Sequence, residues 1–274
     1  MQLAMMDRFQ VPCEIEKIGS SAQVIRSSLL QLKKIPKLVT AYARFTNVPP
    51  DLAKLDFSKG CRQFYNSETR CLIVTVPGRP HEIAAGNFSF ELNSVANSLN
   101  WIRQFEPYRC ARVETTSSAK EPDDSWAPIV LPPNRNDEWP TVVLEVGVSE
   151  SIEKLHADAA WWLITSQGLV NLVITISIKK TVPQLTFEAI VRSEELDILR
   201  NDRHRYQTMI RQSIVVSRPS GDPAQPITCV PNEPLRISSE ELLCRPSAPP
   251  GADPNIPVDS LKYIASRVWE SQRL

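Results

Sequence analysis

The sequence predicts an α/β protein: a central mixed β-sheet flanked by helices, with N- and C-terminal extensions. Three observations carry this expectation. The run Trp139 to Ser149 (WPTVVLEVGVS) is strongly strand-like, a helical pattern to about Ser166 follows it, and Leu169 to Ile178 is a near-continuous apolar strand. Strand, helix and doubly buried strand in that order belong to an α/β core with a central mixed sheet. The chain has 274 residues, 42% of them hydrophobic, with 8 glycines and 23 prolines. It can bury a core, and its prolines gather in connecting segments.

Along the chain, Ala22 to Leu38 reads as a packing helix, weakened at Pro36, within an N-terminal helical extension spanning 1–60. Arg70 to Pro77 is a short β-branched strand that ends at Pro-Gly. His81 to Ile102 keeps apolar residues near a 3.6-residue period and is a long helix facing a sheet. Tyr108 to Thr116 alternates as a strand, and Asp124 to Leu131 is a second extended piece. Ser149 or Ser151 caps the helix after the central strand, and Gly168 ends it. Pro183 to Arg192 reads as a further strand, at the sheet edge. Glu194 to Arg211 is charged and compatible with a helix, and Gln212 to Arg218 is extended. The α/β core is thus placed at 61–218, a proline-rich linker or loop at 219–257 and an amphipathic helix at 258–274.

Thirty-one basic and thirty-one acidic side chains cancel, so no global positive field holds nucleic acid, and any such binding is local. The six cysteines have no CxxC spacing and no histidine neighbours, which argues against zinc and against a disulfide framework. With no signal-length or membrane-spanning apolar run, the expectation is an intracellular protein, cytoplasmic or nuclear. Loops or motifs of the GxSxG, Walker, GxGxxG and HExxH types are absent.

The informative anomaly is Glu145, an acid inside an apolar strand. A buried carboxylate is paired, protonated or bound to a cation. Glu145 shares a strand face with Val143 and Gly147; an edge strand with one wet face is the plainer alternative. Asp123 lies 22 residues upstream (145 − 123), at the start of the preceding strand, so the two acids can converge. With a backbone carbonyl between them, at Val146, they form a hard-oxygen site suited to Mg²⁺ or Mn²⁺, able to activate water and stabilise a scissile phosphate.

Pro122-Asp123, a spacer and Glu145-Val146-Gly147 resemble the PD-(D/E)xK, or restriction-endonuclease-like, nuclease superfamily. The runs PGRPHE (77–82), KEPDDSW (120–126), WPTVVLEVGVSES (139–151) and LHADAAWWL (155–163) resemble its Uma-type endonucleases and their standalone fungal relatives, over roughly residues 70 to 178. The resemblance implies that Asp123 and Glu145 hold the metal and that Glu82 is an additional acid. It also implies a lysine two residues past the second acid, where this chain has Gly147. Lys154, in the next helix, is the first candidate to replace it and Lys120 the second, with a solvated surface position as the bland reading of Lys154.

His81 is either a ligand or proton shuttle or, more plainly, part of a polar first turn. Trp161 and Trp162 read as packing residues rather than base-stacking ones, and Asp158 as an i,i+4 partner of Lys154. Arg200, Arg203, His204, Arg205 and Arg211 could track phosphates but are balanced by nearby acids. The function expected is metal-dependent hydrolysis of phosphodiesters, DNA ahead of RNA. The alternative is an inactive module of the same fold that binds nucleic acid or a protein partner, a second copy included.

Overall fold

The computed structural model describes residues 15–37, 39–57, 59–101, 103–148, 152–193, 207–219, 222, 224–246 and 252–274. Its elements run β1 (Ile15–Ile18), α1 (Ala22–Leu32), β2 (Ala41–Thr46), α2 (Pro50–Ala53), β3 (Arg62–Asn66), β4 (Cys71–Val76), α3 (Arg79–Ser98), β5 (Phe105–Pro107), β6 (Val113–Glu114), β7 (Ser118–Lys120), β8 (Asp124–Pro128), β9 (Val142–Val148), α4 (Ile152–Thr165), β10 (Leu172–Ile178), β11 (Gln184–Ser193), β12 (Gln207–Ser217), β13 (Thr228–Val230), α5 (Ser239–Leu243) and α6 (Val258–Gln272).

The α/β class with a mixed sheet between helices, expected of a restriction-endonuclease-like core, is what the chain adopts. The central sheet has the order β13-β12-β11-β10-β9-β8-β5. β9 and β10 are parallel, Val142 opposite Leu172 to Val148 opposite Ile178, and the other pairs in this sheet are antiparallel. A parallel pair needs a crossover long enough to return to the same end, and α4 provides it. Alternation along β9 sends Val142, Leu144, Val146 and Val148 into a core with α3 and α6. Val143 goes to the opposite face, against Trp161, Trp162 and Leu163 of α4.

A second mixed sheet, order β1-β2-β4-β3-β7-β6, was not legible as such in the sequence. One of its faces packs on α1 and α2 through Ile25, Leu29, Phe45, Leu72 and Val74. Its other face carries Phe64 and Ile73 into the cluster with Trp161 and Trp162, so the two sheets meet at α4. The short segment Glu121–Asp123 leads from β7 in the second sheet to β8 in the central one.

Several expectations need correction. Within 1–60, the segment expected to be a helical extension supplies β1 and β2 to the second sheet. β11 is not an edge strand, because it lies between β10 and β12. Residues 207–211 are strand, where a helix was compatible with the charges; residues 194–206 lie outside the described residues. Tyr108 to Thr116 keeps only a two-residue strand, its start turned by Arg109 at φ 57°. The span 219–257 is not a free linker where it is described: Leu235, Ile237, Leu242 and Ile256 are buried in the main core. Ser238 and Glu241 form a reciprocal capping box on α5, and Thr141 Oγ1 donates to Leu242 O at 2.8 Å. Ser149 and Ser151, the candidate caps of α4, lie outside the described residues. Among the described residues no helix is long and apolar enough to cross a membrane.

Candidate active site

The seam between the sheets holds one pocket lined by Arg62, His81, Lys120, Asp123, Glu145 and Asp158, among others. Asp124 opposes Leu144 in the β8–β9 ladder, which leaves Asp123 just past the paired residues, beside Glu145 and Val146. Its backbone N–H donates to Leu144 O at 3.1 Å, and its Oδ2 accepts from the Val146 N–H at 2.8 Å. A residue's N–H and C=O leave a strand along the same edge, so the Val146 carbonyl is directed to the side on which Asp123 lies.

Both predicted acids are buried, Asp123 at 9% and Glu145 at 6% exposure. Burial pushes both carboxyls up, and what surrounds each decides the outcome. His81 Nε2, 3.1 Å from Asp123 Oδ2, acts with Arg62 and the Val146 N–H to outweigh burial and hold Asp123 below its ordinary value. Glu145 is pushed up to about 7, first by burial and further by Asp158 and Asp123, against the opposing pull of Lys120 and the Trp162 hydrogen bond. Trp162 Nε1 donates to Glu145 Oε1 at 2.5 Å, and Lys120 Nζ lies 3.2 Å from the same oxygen.

Lys120 is itself buried, and reaches Asp158 Oδ1 at 2.7 Å as well as Glu145. Burial pushes its ammonium down, but Asp158 and Glu145 more than offset this and hold it above the ordinary lysine value. Asp158 is therefore no surface partner: it is 2% exposed and binds Lys120 through one oxygen and Lys154 Nζ through the other, at 2.9 Å. Burial raises Asp158, and the two lysines outweigh it and hold the carboxyl low.

The structure thus brings Asp123, Glu145 and the Val146 main chain together. Lys154 lines the pocket, yet its acid is Asp158, and its ammonium also lies 5.5 Å from the Tyr42 ring centroid. The lysine in contact with Glu145 is Lys120. Glu82 does not join the cluster: its side chain is 52% exposed and its ion pair is with Arg62, at 3.7 Å. Neighbouring helix positions point about 100° apart, and here His81, 1% exposed, takes the inward position next to Asp123.

Gly147 has a structural cause. A Cβ there would lie 3.0, 3.1 and 3.2 Å from three side-chain carbons of buried Leu155, so a side chain where the resemblance expects a lysine would crowd α4. Trp161 and Trp162 pack rather than present free faces: their rings meet edge to face at 4.8 Å, and Trp161 Nε1 donates to Ser118 Oγ. Arg211 is engaged with Glu241 and Arg236 O, and the rest of the basic cluster lies outside the described residues.

Sequence reasoning missed Arg62, which stands 3.4 Å from Asp123 Oδ1 across 61 residues of chain (123 − 62). It lies on a strand whose polar make-up gave no periodic signal. Among the described residues, no group of three or more His, Cys, Asp or Glu is arranged to hold a metal ion. The donors at hand are two carboxylates and a carbonyl, a set that suits an oxygen-seeking cation retaining several waters.

No family model matches this chain, and no curated protein does. Among solved structures, it is similar to "a putative nuclease belonging to DUF820" from Anabaena variabilis, at 12% identity and a TM-score of 0.42, over 74% of this chain and 90% of that one.

Proposed function

We propose that this pocket is the active site of a metal-dependent nuclease that hydrolyses phosphodiester bonds, with DNA ahead of RNA as substrate. The observation that carries the reading is the convergence of buried Asp123 and Glu145, from two neighbouring strands, with the ammonium of Lys120 on Glu145. Structural cores rarely gather buried charges at such cost without a use for them.

Asp123, Glu145 and the Val146 carbonyl are the groups that would hold Mg²⁺ or Mn²⁺. Glu145 is raised first by burial and then by Asp158 and Asp123, and a cation beside it would offset the repulsion from those two acids. Such an ion, when bound, stabilises charge on the scissile phosphate and acidifies a bound water. The chain's own groups do the rest. His81 and the Val146 N–H fix Asp123 Oδ2, leaving Oδ1 toward Arg62. Trp162 fixes Glu145. Lys120, held protonated by Asp158 and Glu145, orients the attacking water and offsets negative charge at the phosphoryl group; it is a cation here rather than a base. Lys154, one acid further out, supports Lys120 through Asp158. Glu82 has no part in this set.

A second reading is a binding module of the same fold without activity. The observation in its favour is that Arg62, His81 and Lys120 already neutralise the acids from within. Incubation with plasmid, single-stranded DNA and RNA in Mg²⁺ or Mn²⁺ separates the two. The nuclease cuts at least one of these, and Asp123→Asn and Glu145→Gln each abolish the cut. Binding without cutting, indifferent to both substitutions, would establish the module; cleavage that survives both would sink the site.

A further inference from the structure

We propose that Arg62 is the phosphate-binding residue of this pocket, released from Asp123 when a divalent cation takes that carboxylate, and that it then grips a non-bridging oxygen of a phosphodiester. The inference rests on the nuclease reading for its substrate class and on the geometry of Arg62 for everything else.

Arg62 is the loosest charge in an otherwise tight cluster. Its Nε lies 3.4 Å from Asp123 Oδ1, its Nη2 lies 3.7 Å from Glu82 Oε1, and its Nη1 donates to Cys61 O at 3.4 Å. By contrast Lys120 and Lys154 reach Asp158 at 2.7 and 2.9 Å. The Nε is buried and makes no hydrogen bond. A buried donor left without a hydrogen bond costs about 1–3 kcal/mol, and a guanidinium fork matches phosphate oxygens two at a time. The position is equally telling. Arg62 lines the pocket with Lys120, Asp123 and Glu145, and its side chain keeps 15% exposure.

Asp123 supplies the coupling. Its Oδ2 is occupied by the Val146 N–H and His81, so Oδ1, the oxygen that faces Arg62, is the one left for a cation. A divalent ion held by Asp123 would weaken the attraction that holds the guanidinium and would repel it toward solvent, where a phosphate would be the natural counter-charge. Arg62 and the metal then compete in the empty pocket and cooperate in the loaded one.

The test uses the full chain and its Arg62→Met and Arg62→Lys variants. Mn²⁺ affinity is measured by calorimetry without substrate, and the ³¹P relaxation of dimethyl phosphate, a minimal phosphodiester, is measured with Mn²⁺ bound. The expected result is Mn²⁺ binding at least as tight in Arg62→Met as in the parent, together with loss of most of the Mn²⁺-induced ³¹P relaxation. Arg62→Lys, which keeps the charge without the fork, recovers only part of it. Mn²⁺ binding weakened tenfold or more in Arg62→Met would show that the arginine serves the carboxylate, and unchanged ³¹P relaxation would show that the phosphate sits elsewhere; either overturns the proposal. If the parent cuts no nucleic acid yet relaxes dimethyl phosphate through Arg62, the nuclease reading falls and the phosphate site stands.

Discussion

Glu145→Gln isolates the electrostatic character of the site in a single atom exchange. The amide oxygen can still accept from Trp162 Nε1 and face Lys120, so shape and hydrogen bonding are largely kept while the charge is lost. In the parent, Glu145 titrates at about 7 when folded, against an ordinary 4.5. A carboxyl raised by folding contributes stability that is complete below its unfolded value and is lost as pH rises through its folded value. The window is therefore about pH 4.5 to 7, and the difference, at roughly 1.4 kcal/mol per pH unit, amounts to about 3 kcal/mol. Glutamine has no such dependence. In EDTA the variant should match the parent near pH 5 to within its packing cost and exceed it progressively toward pH 8. Melting temperatures should then separate by on the order of 6 °C across that interval. Thermal denaturation followed by circular dichroism at half-unit pH steps reads this directly. Two pH profiles that run parallel would show that Glu145 is not a strained carboxyl, and would remove the physical ground for a cation at the site.

Three further outcomes follow from the same contacts. Lys120→Met leaves Glu145 and Asp158 buried without the cation they share, and should cost about 3–5 kcal/mol in urea denaturation at pH 8, where both acids are called on to ionise. Trp162→Phe deletes the indole donor to Glu145, so the pH at which Glu145 weakens the fold should move upward; titration of stability in EDTA checks the direction, and the overall loss should be about 1–3 kcal/mol. Gly147→Lys, which restores the lysine expected from the superfamily pattern, should not create or raise nuclease activity. It should instead cost about 1–3 kcal/mol by crowding Leu155, a cost that Leu155→Ala added to Gly147→Lys partly relieves.

What the sequence disclosed, and what it hid, divides along physical lines. β9, α4 and β10 were legible because a strand buried on both faces has little choice but an apolar run, and Glu145 stood out against it for that reason. Asp123 was legible by nearness in sequence. The second sheet was hidden because its short strands carry Arg44, Arg62 and Gln63, and because only its β3–β4 hairpin is local, while β2 pairs with β4 and β3 with β7 across longer stretches of chain. The choice between two lysines could not be made from spacing. Lys154 is nearer Glu145 in sequence, but the first turn of α4 lays it along Asp158, while the passage from β7 to β8 delivers Lys120. His81 and Glu82 show the same limit at one-residue resolution: which of two neighbours turns inward depends on where the helix docks. Proline content in 219–257 suggested looseness, yet the buried Leu235, Ile237 and Ile256 decide the matter there.

Lys120 and Asp123 lie three residues apart (123 − 120) on a passage from one sheet to the other, and Glu145 awaits them on the far side. No one strand pair can assemble this cluster. Contacts that join distant stretches of chain carry a high loop-closure cost and tend to belong to the slow stage of folding, so the pocket acquires its charges together once the two sheets have met. Trp161, whose indole on α4 donates to Ser118 Oγ of the second sheet, is placed to report that event: the part of the refolding emission change that Trp161→Phe removes should belong to the final, slowest phase.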